Sequence, residues 1–105
     1  MRGNVVTVFK PTCEMMGIKK IKIIEDDMIF CILVQELVSE SLKDCYYLII
    51  HKQLGLIFRE IRALQESWLT VQCLDKPRES VEIHLSEIAE VFMVRKIFRC
   101  SNLLN

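Results

Sequence analysis

The sequence of this 105-residue chain has no excess of charge of either sign and no long apolar run. Its 14 basic and 14 acidic residues balance to a formal charge of zero, which argues against direct binding to nucleic acid or to a membrane surface. Apolar runs such as YYLII and MIFCILV are far too short to cross a bilayer, and the N-terminal residues lack the continuous apolar segment of a secretory signal. We therefore expect a cytoplasmic protein that contacts neither nucleic acid nor membrane.

The cysteines and histidines also lack any pattern that is typical of a metal site. The five cysteines, an odd number, include no C-x-x-C pair, so neither a disulfide framework nor a zinc site is indicated. His51 and His84 have no partner at the spacing of metal ligands. We therefore predict reduced, mostly buried thiols and neither a metal ion nor a cofactor.

The sequence does contain a succession of short runs with the composition or the two-residue alternation of β-strands. The predicted strands are residues 5–9, 18–24, 28–34, 45–51, 54–63, 67–74 and 80–85, with a long final strand within 86–98. Residues 18–24 could also start a helical turn, and residues 35–44 have helical spacing. Residues 86–98 could be a helix or a strand, and their β-branched and aromatic content favours the strand. Gly55 suits a tight hairpin. We predict a mainly β fold, a coiled antiparallel sheet or small barrel with at most one or two short helical turns, in a single domain spanning residues 1–105.

The order of these runs resembles the C-terminal peptidase domain of LexA-type repressors, a family of self-cleaving serine peptidases attached to helix-turn-helix regulators. That family has a G-D-S-M-x-P-T-L-x-x-G-D segment and an apolar strand, followed by a YVV-type strand, a hairpin partner, a turn and a D-L-x-E-I-x-E-I-W-x-V ending. This chain has DDMIFCILV, CYYLIIH, GLIFREI, CLDKPRE and HLSEIAEVFMV in the same order, over about residues 17–94. The resemblance implies a LexA C-terminal-like fold and a role in transcriptional regulation.

Both catalytic positions of the family differ in this chain. The position of the serine nucleophile falls on Ile18, and no serine occurs between Met1 and Gln35. The position of the general-base lysine falls on Arg59, whose guanidinium stays charged and has no lone pair that could accept a proton. The resemblance thus predicts a catalytically inactive peptidase-like domain, without a DNA-binding domain.

Dimerisation is the other property that the resemblance implies, and the final strand is the candidate surface for it. The predicted interface residues are Val91, Phe92, Val94, Ile97 and Phe98. Strict alternation would place Phe92, Val94, Lys96 and Phe98 on one face of that strand. These apolar side chains fit an interface or a core equally well. The predicted partner is a second copy of the chain or a related repressor.

Two functions of other classes stay open at this point. One is an active enzyme using unrecognised residues, for example a cysteine hydrolase built on Cys13 or Cys45 with His51 or His84. The other is a small β-barrel binding domain unrelated to peptidases.

Overall fold

The structure is a computed structural model that describes residues 6–37, 45–75 and 79–99. In these ranges the chain forms seven strands, one short helix and one 3-10 turn. The elements are β1 (Val6–Phe9), α1 (Cys13–Met16), β2 (Asp27–Leu33), β3 (Tyr46–His51), β4 (Gly55–Gln65), β5 (Trp68–Gln72), β6 (Ser80–His84), the 3-10 turn (Leu85–Glu87) and β7 (Ile88–Arg99). The prediction of a mainly β fold with little helix is confirmed, and so is the long final strand.

All seven strands belong to one antiparallel sheet with the order β1-β2-β7-β3-β4-β5-β6. β6 and β7 are consecutive in the chain, yet four strand spacings separate them, which is about 19 Å in a flat sheet. The connection from His84 to Ile88 is four residues long and spans at most about 14 Å. The sheet must therefore coil, so that the β6 edge curls back toward the start of β7.

Two hairpins of this sheet depend on residues with positive φ. Gly55 opens β4 with a φ of 80°, as the hairpin prediction required. Glu66, in the turn between β4 and β5, has a φ of 56°. A residue with a Cβ atom is strained in that region, because the Cβ approaches the following carbonyl oxygen.

Replacing Glu66 with glycine is expected to raise the free energy of unfolding by about 1 kcal/mol, because glycine has no Cβ and adopts this φ without strain. The measurement is the urea midpoint of unfolding. Glu66→Ala is the matched control, since it removes the same carboxylate but keeps the Cβ. Equal midpoints for the two variants would contradict the strain at Glu66.

The coiled sheet has a buried cluster on each face. The first cluster contains Met15, Ile18, Ile23, Ile29, Cys31, Leu48, Phe58, Leu74 and Phe92. The second contains Tyr47, Ile49, Ile57, Ile61, Leu69, Val71, Ile83 and Val91. Adjacent residues of one strand, such as Ile57 and Phe58, belong to different clusters, as the alternation of a strand requires. Helix α1 lies over the first cluster. Residues 17–26, which we call the covering segment, follow α1 and lie over the same cluster.

The prediction of a strand at residues 18–24 is wrong, because the covering segment is a series of turns with no strand partner among the described residues. Ile18 and Ile23 insert into the first cluster, whereas the three lysines between them are exposed. Lys22 also adopts a positive φ of 53°. Most of the segment predicted as helical turns (residues 38–44) lies outside the described residues, as do residues 76–78 of the predicted turn.

Candidate functional site

The two positions that the resemblance assigns to a catalytic dyad lie on opposite faces of the sheet. Ile18 is 3% exposed and belongs to the same cluster as Phe58. Arg59 follows Phe58 in β4 and therefore points to the other face, where it lines a cavity with Ile57. Ile18 is thus a core residue of the first cluster, whereas the Arg59 side chain leaves β4 on the other face.

Arg59 is instead part of the contact that holds α1 against β4. Glu14 accepts hydrogen bonds from the Phe58 backbone N–H at 2.9 Å and from the Arg59 guanidinium at 2.7 Å. The β4–β5 ladder ends at Glu60 and Gln72, so the Glu14 carboxylate takes the place of a strand partner at Phe58. This role of Glu14 could not be predicted from a local pattern, because 44 residues separate it from Phe58.

The five predicted interface residues differ in exposure, and most of them belong to the core of the single chain. Val91 and Phe92 are 4% and 6% exposed within the single chain, so they have little surface left for a partner. Val94 and Ile97 are half-buried against the first cluster. Only Phe98 of the predicted set is exposed, at 38%.

Strict alternation along the final strand is wrong because β7 has a bulge at Arg95. Val94 pairs with Cys31 and Lys96 pairs with Phe30, which are adjacent residues of β2 and point to opposite faces. Beyond the bulge, Lys96 and Phe98 therefore point away from the first cluster.

This reversal creates an apolar surface, which we call the β1–β2–β7 face. Its members are directly paired across the three strands and therefore point the same way. They are Val6, Val8, Met28, Phe30, Ile32, Met93, Lys96 and Phe98. The Phe30 and Phe98 rings are in edge contact at 5.9 Å, and the Lys96 ammonium lies 4.5 Å from the centre of the Phe98 ring.

The residues of the alternative cysteine hydrolase are spread over the molecule. Cys13 is exposed on α1, whereas Cys45 precedes β3 and His51 ends it, about 20 Å away along the strand. His84 contacts the Trp68 ring, and its Nδ1 lies 2.8 Å from the Ser86 hydroxyl. Burial raises the pKa of the Cys31 thiol to about 12.

A cavity of about 320 Å³ lies between the β3–β4 turn and β6. His51, which is 6% exposed, lines it together with Glu87. The His51 Nδ1 accepts hydrogen bonds from the backbone N–H groups of Gln53 and Leu54, both at 3.1 Å. Its Nε2 lies 3.9 Å from the Glu87 carboxylate. Sequence analysis missed this site, and the one available signal was a histidine at the junction of a strand and a turn.

Two further absences concern the described ranges alone. No group of three or more histidine, cysteine, aspartate or glutamate side chains in residues 6–37, 45–75 and 79–99 is arranged to hold a metal ion. No helix in the same ranges has the length and apolar character needed to span a membrane.

Comparisons of the chain with protein-family models, with curated proteins and with solved structures give no match. The kinship with LexA-type domains therefore stays a prediction from the colinear motifs, and the geometry above is the basis of any functional assignment.

Proposed function

We propose that this chain is a non-catalytic self-association module, in which two copies pair through the β1–β2–β7 face. The observation that carries the proposal is the exposure of three apolar side chains on one sheet face. Val6, Val8 and Phe98 are 55%, 48% and 38% exposed, and half-buried Met28 and Phe30 lie between them. A continuous apolar surface of this kind is typical of a protein interface.

A second copy of the chain is the occupant that suits this face best. Lys96 is the single charged member of the face as defined, and its ammonium is already placed over the Phe98 ring. Because no member of the face carries a carboxylate, the face has no group that would attract a strongly basic partner. Its apolar side chains can instead pack against another apolar sheet surface. Two-fold pairing presents the same surface on both sides, which is the commonest symmetry of protein dimers.

Pairing would also protect an edge of the sheet. β1 is an edge strand, and both of its exposed valines, Val6 and Val8, lie on this face. An exposed apolar edge strand favours non-specific association with other strands. A specific dimer that covers both valines removes that hazard.

The absence of catalysis in this proposal rests on the side chains at the two dyad positions. Ile18 is a buried hydrocarbon, and the Arg59 guanidinium is engaged by Glu14 at 2.7 Å. Neither group can attack a carbonyl or accept a proton. A regulatory role in transcription, as a peptidase-like relative of LexA-type repressors, belongs to the same proposal and is supported by the colinear motifs of residues 17–94.

Replacing Val8 with lysine is expected to convert a dimer into a monomer. The substitution places a charge within the apolar contact, where it would lose its hydration without gaining a partner. Sedimentation equilibrium over a range of protein concentrations measures the mass directly. The wild-type mass should approach twice that of the chain, while the variant mass should stay at that of one chain.

Val81→Lys is the matched control, because Val81 is also an exposed strand valine, at 56%, but lies on β6 at the far end of the sheet order. This variant should dimerise like the wild type. A wild-type chain that stays monomeric at every concentration, or a Val81→Lys variant that dissociates as much as Val8→Lys, would refute pairing through the β1–β2–β7 face.

A further inference from the structure

The cavity beside His51 combines apolar walls with a polar corner at His51 and Glu87, and Gln53, Arg59, Cys73 and Glu82 also line it. Its volume of about 320 Å³ is within the range of small-molecule sites. The apolar walls are Leu54, Ile57, Val71, Val81 and Ile83. Leu54 and Val81 are 68% and 56% exposed, so the apolar surface extends to the mouth of the cavity. An apolar molecule entering it would displace water mainly from Leu54 and Val81, because Ile57, Val71 and Ile83 are already at most 7% exposed.

The polar corner is built around a histidine whose tautomer is fixed by the backbone. The His51 Nδ1 accepts two N–H hydrogen bonds, from Gln53 and Leu54, and therefore carries no hydrogen itself. The hydrogen of the neutral ring must then be on Nε2. His51 thus presents a donor, and not an acceptor, on its other edge.

That donor has no hydrogen-bond partner among the described residues. The Glu87 Oε2 lies 3.9 Å from Nε2, which is too long for a hydrogen bond. No fully buried side-chain nitrogen or oxygen in the described ranges lacks a partner, so Nε2 keeps some exposed surface, and His51 is one of the residues that line the cavity. The Glu87 Oε1 is already used, since it accepts from the His84 backbone N–H at 3.2 Å. Oε2 is therefore left as an acceptor facing the His51 donor.

The gap between this donor and this acceptor selects the chemistry of a ligand. A hydroxyl oxygen can accept a hydrogen bond from Nε2–H and donate one to Oε2 at the same time, if it lies about 2.8 Å from each atom. An ammonium group could not accept from Nε2–H, and a carboxylate would be repelled by Glu87. Arg59 also lines the cavity, but its charge is already compensated by the ion pair with Glu14, so it does not require an anionic ligand.

We propose that this cavity binds a small uncharged alcohol, with its apolar body against the aliphatic walls and its hydroxyl between His51 and Glu87. The site is at the β3–β4 turn and β6, away from the β1–β2–β7 face. Alcohol binding is therefore independent of self-association, and the monomeric Val8→Lys variant should bind alcohols like the wild type.

The test is a titration of the full ¹⁵N-labelled chain with benzyl alcohol and with toluene, which share an aromatic body and differ by the hydroxymethyl group. Benzyl alcohol should shift the amide resonances of Gln53 and Leu54 in a saturable way. Toluene should bind at least about tenfold more weakly, since it makes neither hydrogen bond. No saturable shift with benzyl alcohol, or equal affinity for the two probes, would overturn the proposal.

Two variants locate the hydroxyl. Glu87→Gln keeps an oxygen for the His84 N–H but places an amide NH₂ toward the ligand, so the affinity for benzyl alcohol should fall about tenfold. Glu25→Gln makes the same chemical change at an exposed residue of the covering segment, which is not part of the cavity lining, and should bind like the wild type. Equal affinities of the two variants would show that Glu87 does not hold the hydroxyl.

Discussion

Replacing Leu48 with alanine is expected to lower the free energy of unfolding by about 2–5 kcal/mol. Leu48 is fully buried in β3, the middle strand of the sheet order. It lies opposite Phe58 on one side and Phe92 on the other, so its side chain fills the first cluster where both halves of the sheet meet. Removing it loses the transfer free energy of three carbons and leaves a cavity that three paired strands cannot close.

The measurement is urea-induced unfolding followed by circular dichroism, with Leu54→Ala as the matched control. Leu54 loses the same atoms on substitution but is 68% exposed, so its free energy of unfolding should change by about 0.5 kcal/mol or less. Because a domain of this size is stabilised by only about 5–15 kcal/mol, the Leu48→Ala substitution should lower the urea midpoint by a large fraction of its wild-type value. Similar losses for the two variants would contradict the central position of β3.

The strands of this fold could be predicted because each one has a local pattern. β5 alternates between its two faces over Trp68–Gln72, and the hairpin before β4 contains the one residue type that takes a positive φ freely, at Gly55. β7 was predicted correctly from its β-branched and aromatic content, although its apolar spacing also fits a helix.

The orientation of the side chains in β7 could not be predicted, because it depends on a single unpaired residue. The bulge at Arg95 exchanges the two faces for the rest of the strand, and it is a property of the pairing with β2 rather than of the local sequence. The predicted interface set also included Val91 and Phe92, which are core residues because β7 lies beside β3 there, and it omitted Val6 and Val8, which belong to β1.

The polar sites were missed for a related reason, namely that their members are distant in sequence. His51 and Glu87 approach each other because β3 pairs with β7, which places His51 opposite Ile88, and the Lys52 backbone N–H donates to the Glu87 carbonyl at 2.9 Å. Glu14 reaches Phe58 across the first cluster in the same manner. No spacing rule for a strand or a helix connects such pairs.

Replacing Asp27 with asparagine is expected to destabilise the chain at neutral pH by about 1–2 kcal/mol. Asp27 is 2% exposed, and its carboxylate accepts from the Arg99 Nε at 3.0 Å, from the Arg99 Nη2 at 3.3 Å and from the Ile24 backbone N–H at 3.0 Å. An amide at this position has one acceptor oxygen and no charge, so it cannot satisfy all three donors.

The pH dependence of this effect has a defined sign. The hydrogen bond from Arg99 holds the pKa of the Asp27 carboxyl below its ordinary value, although burial alone would raise it. A group whose pKa is lower in the folded than in the unfolded chain stabilises the fold above its unfolded pKa. The contribution of Asp27 is therefore complete above a pH of about 4 and is lost as the pH falls through the lower, folded pKa. The difference in unfolding free energy between wild type and Asp27→Asn should shrink in the same interval.

Asp26→Asn is the matched control, because the neighbouring carboxylate is exposed and makes no described hydrogen bond or ion pair. It should leave the free energy of unfolding within about 0.5 kcal/mol of the wild-type value at every pH. An Asp27→Asn deficit that does not change between neutral and acid pH would show that the charge of the pair is not what stabilises the fold.

The contacts of Asp27 and Arg99 also explain why a segment with no strand partner is ordered. Arg99 donates to the Lys22 carbonyl at 3.0 Å as well as to Asp27, and Asp27 accepts from Ile24, so the end of β7 holds the covering segment at two points. Between those points Ile23 enters the first cluster. Amide hydrogen exchange at Ile23 and Ile24 should therefore accelerate in Asp27→Asn more than exchange at Leu48, because loss of the pair releases the covering segment before the sheet opens. Equal acceleration at all three amides would mean that the pair stabilises the sheet as a whole, and not its cover.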